Sequence, residues 1–447
     1  MDPSPHRATW LHSNRFLARS VVRPVQRFLL IEASGGILLA VAVVVALVWA
    51  NSPWSAAYRD LWTSGLRIDV AGHAITHDLR HWIDDGLMTL FFFVIGLEIK
   101  EELTNGQLTT VREAAVPAAG ALGGMVVPAL VYVACNVGGH GMAGWGIPMA
   151  TDVAFAVGVL ALLGSRAPAE LRVLLLSLAI VDDVGAIIVI AAFYSGGIHA
   201  GWLAAALAGL LLIALLRRVH VRYLPIYVAL GTGIWFATFE SGVHATIAGV
   251  ALGLLAPARA LLPEVDADRI ASTIADGGRV TAAEVRELSF RLREAIPVTE
   301  RLQGTLHPWT SYVVVPLFAL ANAGVVLSGT ALRQAATSPI TLGVGLGLVV
   351  GKLVGVSGGI ALVTTLGGGR LPQGISMRHI VGMAGIAGIG FTVSIFVTGL
   401  AFTDQVRADQ ATIGVLAASL LAAVVGSVLL VRNPDVAATP PDRARRR

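Results

Sequence analysis

Charge is what this sequence has least of. Asp, Glu, Lys and Arg make up 13% of its 447 residues, against 55% hydrophobic, and the mean hydropathy is +0.75. A soluble domain carries about 25% charged residues, so this balance excludes an ordinary soluble fold and points to a chain dissolved mostly in lipid. Cysteine is nearly absent as well. Cys135 stands alone in an apolar run, so no intrachain disulfide can form, and its plain reading is a small packing residue. A removable signal peptide is not expected either. Arg7, Arg15, Arg19, Arg23 and Arg27 precede the first long apolar stretch, and no short hydrophobic run with a small-residue cleavage site follows. The first helix is expected to act as an uncleaved anchor. What is plentiful is glycine, 50 residues of it, as expected where helices pack closely in a bilayer. The net charge of +4 and pI near 9.6 do not mark a nucleic-acid binder, because the basic residues are spread through the connections between apolar runs. The expected partner is the lipid bilayer, not nucleic acid.

A bilayer-spanning helix needs about 20 apolar residues. The candidates are 32–50, 83–104, 113–135, 145–163, 170–194, 201–217, 223–239, 243–256, 308–327, 340–366, 378–402 and 409–431. They predict an all-α integral membrane protein with about 12 transmembrane helices filling residues 32–431. Segments 145–163 and 243–256 are short or interrupted. Residues 1–31 form an N-terminal segment, and the Pro- and Arg-rich stretch 432–447 is expected to be a disordered tail. The connections give an independent orientation. With the N-terminus inside, Lys100, Arg112, Arg166, Arg172, Arg217, Arg218, Arg222, Arg370 and Arg378 all fall on the inner side, whereas 136–144, 195–200 and 240–242 carry no Lys or Arg. Arg59, Arg67, Arg80, Arg333 and Arg407 are the outer exceptions. The positive-inside rule thus places both termini in the cytoplasm.

Two connections are long enough for structure of their own. Residues 60–78 alternate around a turn at Ala71-Gly72, with Leu66, Ile68 and Val70 before it and Ile75 after, predicting an outer β-hairpin suited to a subunit contact. Residues 257–307 form a cytoplasmic loop in which Thr281-Ala-Ala-Glu284 reads as a capping box opening a short amphipathic helix, either a solvated linker or a regulatory element.

An ionisable group at mid-bilayer costs roughly 2.5–3.5 kcal/mol on insertion scales and is a functional candidate by default. Asp182 and Asp183 sit mid-segment in Leu-Ala-Ile-Val-Asp-Asp-Val-Gly-Ala-Ile-Ile, with roughly 17 Å of helix on each side, further than an aspartate can snorkel. Helical neighbours point about 100° apart, so one carboxylate can bind a cation while the other pairs with a positive group. The bland alternative is two structural aspartates capping another helix. Lys352, in Val-Val-Gly-Lys-Leu-Val-Gly, is the obvious positive group, either as a proton carrier or as a static ion-pair partner. Gly146 and Pro148 break a short span immediately before Thr151 and Asp152; a half-helix starting there would have its positive end capped by these two side chains. A matching irregularity lies at Gly382–Thr392. Two interrupted spans in corresponding positions predict broken, crossing helices around a binding site, with 113–194 and 340–431 as inverted three-helix repeats. Asp85 and Glu98 lie 13 residues apart on one span, too far for a single site. They line opposite funnels or are simply solvated helix ends. His244, in apolar surroundings, reads as a helix contact more readily than as a proton sensor.

Taken together these segments resemble the NhaA family of sodium/proton antiporters. The resemblance is carried by Ala33-Ser-Gly-Gly-Ile, Asp85-Gly-Leu-Met-Thr-Leu-Phe-Phe-Phe-Val-Ile-Gly-Leu-Glu98, Ala150-Thr-Asp-Val-Ala-Phe-Ala, Asp182-Asp-Val-Gly-Ala-Ile-Ile, Gly242-Val-His-Ala-Thr, Leu306-His-Pro-Trp, Phe318-Ala-Leu-Ala-Asn-Ala-Gly, Gly351-Lys and Gly388-Ile-Gly-Phe-Thr, in family order. The family is itself one of the cases from which the broken-helix pattern was drawn. The resemblance implies that Asp183 is the principal sodium and proton ligand and that Asp182 is its partner, paired with Lys352. It places Thr151 and Asp152 at the crossing and Asp85 at the family's outer-side aspartate. It further implies electrogenic export of cytoplasmic sodium or lithium against entering protons, no cofactor, a bacterial inner-membrane location and a homodimer through 60–78. The sequence departs from the family at Glu101, where Arg is commoner, and at Gln303-Gly304, where many members have Glu-His; both belong to the inner-face pH-sensing region. Two other functions remain open: a sodium/solute symporter of the same architecture, and an intramembrane aspartyl protease using Asp152 and Asp183 from separate spans.

Overall fold

The computed structural model describes residues 34–70, 73–106, 111–219, 221, 223–260, 286, 289–290, 294–372 and 374–432. The expected N-terminal segment 1–31, the Thr281 capping box and the tail from 433 lie outside the described residues.

The chain enters as α1 (Ser34–Ala50), turns by 115° into the short α2 (Ser55–Trp62), and forms an antiparallel hairpin of β1 (Gly65–Val70) and β2 (His73–Asp78). Gly65 pairs with Asp78 and Val70 with His73. A helical turn at Leu79–His81 and a π-helical turn at Trp82–Leu87 lead into α3 (Met88–Asn105). There follow α4 (Val111–Asn136), a 3-10 stretch (Met142–Met149), α5 (Val153–Leu162), α6 (Ala169–Phe193), α7 (Ala200–Arg218), α8 (Leu224–Glu240) and α9 (Thr246–Leu255). After the long connection come α10 (Val298–Trp309), a π turn at Thr310–Val314, α11 (Val315–Asn322), α12 (Gly329–Thr337) and α13 (Pro339–Leu346). A π turn at Gly347–Gly351 joins α13 to α14 (Lys352–Thr365), and α15 (Met377–Ala387), α16 (Phe391–Ala401) and α17 (Gln405–Val431) complete the chain.

The protein is multi-pass and helical, but the expected count is not met by length alone. Among the described residues six helical stretches are long and apolar enough to cross a membrane, or eight if each bent pair is one span. The remaining apolar segments fall short for physical reasons. The α3 helix carries Glu98, Lys100, Glu101 and Glu102, and α9 is only 10 residues long. The segment expected at 308–327 starts ten residues earlier, at Val298, with Pro308 inside the helix and a π turn at Thr310–Val314 after it. Outward faces are apolar, with Leu122, Val126 and Leu130 of α4 and Leu207, Leu211 and Leu215 of α7 exposed at four-residue spacing.

Two sets of elements run in the same succession: a long helix (α4; α13–α14), an interrupted one (3-10 stretch and α5; α15 and α16), and a long one (α6; α17). The α4 and α14 helices approach backbone to backbone. A Cβ placed on Gly123 would strike the Gly355 carbonyl, and one on Gly359 would strike the carbonyl of Ala119. Without water to drive association, such small-residue contacts are how helices pack in lipid. This contact brings Lys352, buried beside Gly124, into the middle of the protein.

Candidate functional site

The site is assembled where the two interrupted helices meet. The backbone at 150–152 is extended, so its polar groups need partners that a helix would have supplied. They find them in the opposite break: Asp152 N donates to Ile389 O at 2.6 Å, and the Thr151 hydroxyl lies 3.0 Å from Ala387 O. The Ser394 hydroxyl donates to Ile147 O at 2.7 Å. Gly390 is required by this approach, since a Cβ there would lie 2.8 Å from the Leu348 side chain and 3.1 Å from Ala150 O. Asp152 caps α5, its Oδ1 accepting from Phe155 N at 3.0 Å, while its Oδ2 accepts both the backbone N–H (3.1 Å) and the hydroxyl (2.5 Å) of Thr392. Asp152 is thus held by three donors from the two breaks.

On α6 the neighbouring aspartates part company. Asp182 Oδ2 accepts from Lys352 Nζ at 2.5 Å and from the Thr151 hydroxyl at 2.7 Å, and Lys352 Nζ also donates to Thr151 Oγ1 at 3.0 Å. Lys352 and Asp182 are 0% and 1% exposed. The π turn immediately before Lys352 inserts one extra residue into the helix and so rotates everything after it by about 100° relative to a regular helix. Asp182 Oδ1 is buried without a hydrogen-bond partner. Asp183 behaves differently: among the described residues its carboxylate accepts no hydrogen bond, and it faces a cavity.

That cavity measures about 1410 Å³. Thr151, Asp152, Asp183 and Thr392 line its deep end, and Glu98, Glu101, Glu102, Gln303, His307 and Arg370 line its approach. Glu98 lies within electrostatic reach of Asp183. Glu101 accepts from the Thr299 hydroxyl at 2.6 Å and from Asn105 Nδ2 at 2.7 Å; Gln303 faces the cavity with its Nε2 unpartnered. Asp85 lies in the π turn that precedes α3, outside this cavity. His244 is not part of its lining either: its Nε2 lies 2.7 Å from Tyr194 O.

Of the residues singled out from sequence, Asp182, Asp183, Asp152, Thr151, Lys352 and Glu98 therefore converge, and Asp85 does not. Sequence reasoning passed over Tyr194, whose hydroxyl receives Gly146 N–H (3.0 Å), donates to Ala143 O (2.7 Å), and so braces the 3-10 stretch. A tyrosine at the end of an apolar helix gives no such signal. Thr392 was legible only as part of an irregular span.

Comparison with known proteins identifies the family. The sequence profile of the family described as Na+/H+ antiporter 1 matches residues 26–430. A protein named Na(+)/H(+) antiporter NhaA 2 from Sorangium cellulosum is 46% identical, over 95% of this chain and 93% of its own. One named Na(+)/H(+) antiporter NhaA 3 from Frankia alni is 47% identical over 92% and 89%, and Na(+)/H(+) antiporter NhaA from Rhodopirellula baltica is 46% identical over 92% and 94%.

Proposed function

The chain belongs to the Na+/H+ antiporter 1 family, and on that premise we propose that it exchanges sodium for protons at the carboxylate of Asp183. It is a sodium/proton antiporter, a transporter rather than an enzyme. The observation that carries the site assignment is the asymmetry on α6: Asp182 is occupied by Lys352 and Thr151, while Asp183 has no hydrogen-bond partner among the described residues and opens onto the cavity. A bare carboxylate holds a proton or an alkali cation, not both, and that competition couples the two fluxes without any further device. Oxygen ligands from Asp183, Asp152 and Thr151 suit a hard monovalent cation, sodium or lithium. Lys352 and Asp182 neutralise each other beside the site and keep its net charge low.

In the full reading, the two breaks belong to crossing helices of two inverted three-helix repeats, in a bundle of about twelve spans. The large cavity, with Glu98 in it, is the cytoplasmic funnel; the hairpin end, with Asp85, faces outward. More than one proton enters for each sodium exported, so transport is electrogenic. The chain lies in the bacterial inner membrane with both termini inside, as a homodimer joined through the hairpin. Three hydrogen bonds already directed at Asp152 speak against a proton-sharing pair with Asp183, and hence against aspartyl-protease chemistry, while leaving one acceptor site for a cation. Purified protein in vesicles decides the central assignment. Asp183→Asn should abolish sodium-dependent proton release read with a pH-sensitive dye; full retention refutes it.

A further inference from the structure

At the hairpin end lies a second cavity, of about 10 Å³, lined by His77, His81, Trp82, Asp85, Trp235 and Phe239. That is about the volume needed for a single water. Its walls are fixed: Trp82 Nε1 donates to Leu66 O at 3.1 Å, and Trp235 Nε1 donates to Asp85 O at 3.0 Å. The two indoles stack with centroids 6.3 Å apart, and Phe239 meets the His77 ring edge-on at 5.4 Å.

Two imidazoles connect this cavity to the surface. The His81 side chain is 59% exposed, and its Nδ1 sits 2.6 Å from Asp78 Oδ1. Burial alone would raise the Asp78 carboxyl, but hydrogen bonds from the His81 backbone and ring outweigh it and hold Asp78 below the usual carboxylate range. An anionic Asp78 accepts from the ring when Nδ1 carries the proton, and in that tautomer Nε2 is an acceptor. The His77 ring is 5.5 Å from that of His81 and only partly exposed. Asp85 feels both histidines and His244 as well. Of the other charges nearby, Asp84 accepts from Asn322 Nδ2 at 2.7 Å toward α11, and Arg80 acts electrostatically on Asp78, the partner of His81, as well as on Asp84. The α8 helix contributes only Trp235 and Phe239 to the cavity wall.

We propose that His81 and His77 form a proton-collecting relay that loads Asp85 from the solution at the hairpin face. His81 Nε2 takes a proton and becomes imidazolium. The proton passes by way of His77 and the cavity water to the Asp85 carboxylate, and both rings return to neutral imidazole. Each transfer moves one proton and leaves the total charge unchanged. The inference rests on the antiporter reading and on the hairpin facing outward.

Everted membrane vesicles holding the full chain test it, because their interior solution bathes the outer face. Uptake of radioactive sodium is followed with the bath pH fixed and the interior set between about pH 5.5 and 8, spanning the range in which an unperturbed imidazole titrates. Relative to wild type, His77→Gln/His81→Gln should slow uptake about tenfold at the alkaline end of the interior series, a modest share of what a positioned proton donor contributes. The two should converge at the acid end, where free protons reach Asp85 unaided. Imidazole trapped inside should restore the lost rate, and the apparent sodium KM on the bath side should not change. His81→Gln alone, at an exposed position, should show the same pattern more weakly. An interior-pH profile superimposed on wild type overturns the relay. So does a uniform loss that imidazole does not rescue, or a shift that follows the bath pH instead. Absence of exchange in wild-type vesicles would refute the antiporter reading itself and the relay with it.

Discussion

Lys352→Met removes the ammonium from the middle of the protein while keeping most of the side chain's volume. In the intact protein Nζ lies 2.5 Å from Asp182 Oδ2, with both side chains essentially unexposed. After the substitution Asp182 keeps only the Thr151 hydroxyl, because its other oxygen already lacks a partner. Breaking a buried pair in this way costs about 3–5 kcal/mol, against about 0–1 for an exposed one. The folding equilibrium should therefore shift by roughly two to three and a half orders of magnitude. Reversible unfolding in mixed micelles, titrated with a denaturing detergent, measures this directly. The double variant Lys352→Met/Asp182→Asn removes both charges and should recover most of the loss, since replacing a buried pair outright is often neutral or stabilising. Asp183→Asn is the internal control: it breaks no hydrogen bond among the described residues and removes a like charge beside Asp182, so it should be at least as stable as wild type while losing transport. A Lys352→Met protein within about 1 kcal/mol of wild type would refute the argument, because only a well-solvated pair is worth so little.

Two further outcomes follow from the packing around the breaks. Thr392→Val deletes the hydroxyl that Asp152 accepts at 2.5 Å but keeps the backbone donor, and hydrogen bonds to charged groups are worth about 1.5–3 kcal/mol; the maximal exchange rate should fall more than the apparent sodium affinity, with Thr392→Ser restoring both in vesicle assays. Gly123→Ala forces a methyl group against the Gly355 carbonyl and should cost about 1–3 kcal/mol in the same detergent titration, whereas Gly233→Ala, with open space around its added carbon, should be neutral or stabilising.

Much of the fold was legible because lipid imposes strict rules. Each of the twelve apolar segments is helical over most of its length, and the irregularities at Pro148 and Gly388–Gly390 stood out against that background. Less legible were features set by partners rather than by local pattern. The helix through Pro308 starts at Val298, in a stretch too polar to read as part of a span, and three π turns change which way a side chain faces without marking the sequence. The charges at 182, 183 and 352 were conspicuous individually. Which aspartate takes the lysine depends on how α6 and α14 are turned toward each other, so spacing could not decide it, and the resemblance supplied the assignment. The departures at Glu101 and Gln303 acquire physical content only in three dimensions. Glu101 bonds to Thr299 across α3 and α10, and Gln303 lines the cavity with its Nε2 unpartnered, so among the described residues neither position holds an ion pair.

On the proposed assignment, the adjacency of Asp182 and Asp183 makes a single helix sufficient for coupling. Two carboxylates on successive residues must point apart, so one can be spent on a permanent counter-ion while the other stays bare. Were both bare, two anions would sit in a low-dielectric interior at a cost that only bound cations could offset; were both paired, nothing would bind. The lysine comes from α14, the threonine from one break and the threonine's carbonyl contact from the other, so Asp182 ties together three elements that any rearrangement of the breaks would move. Asp183, free of those ties, follows α6 alone. A movement of the breaks against α6 would therefore change the access and oxygen ligands of Asp183 while Asp182 keeps the site's charge balanced, which is the condition for releasing sodium on one side and a proton on the other from the same carboxylate.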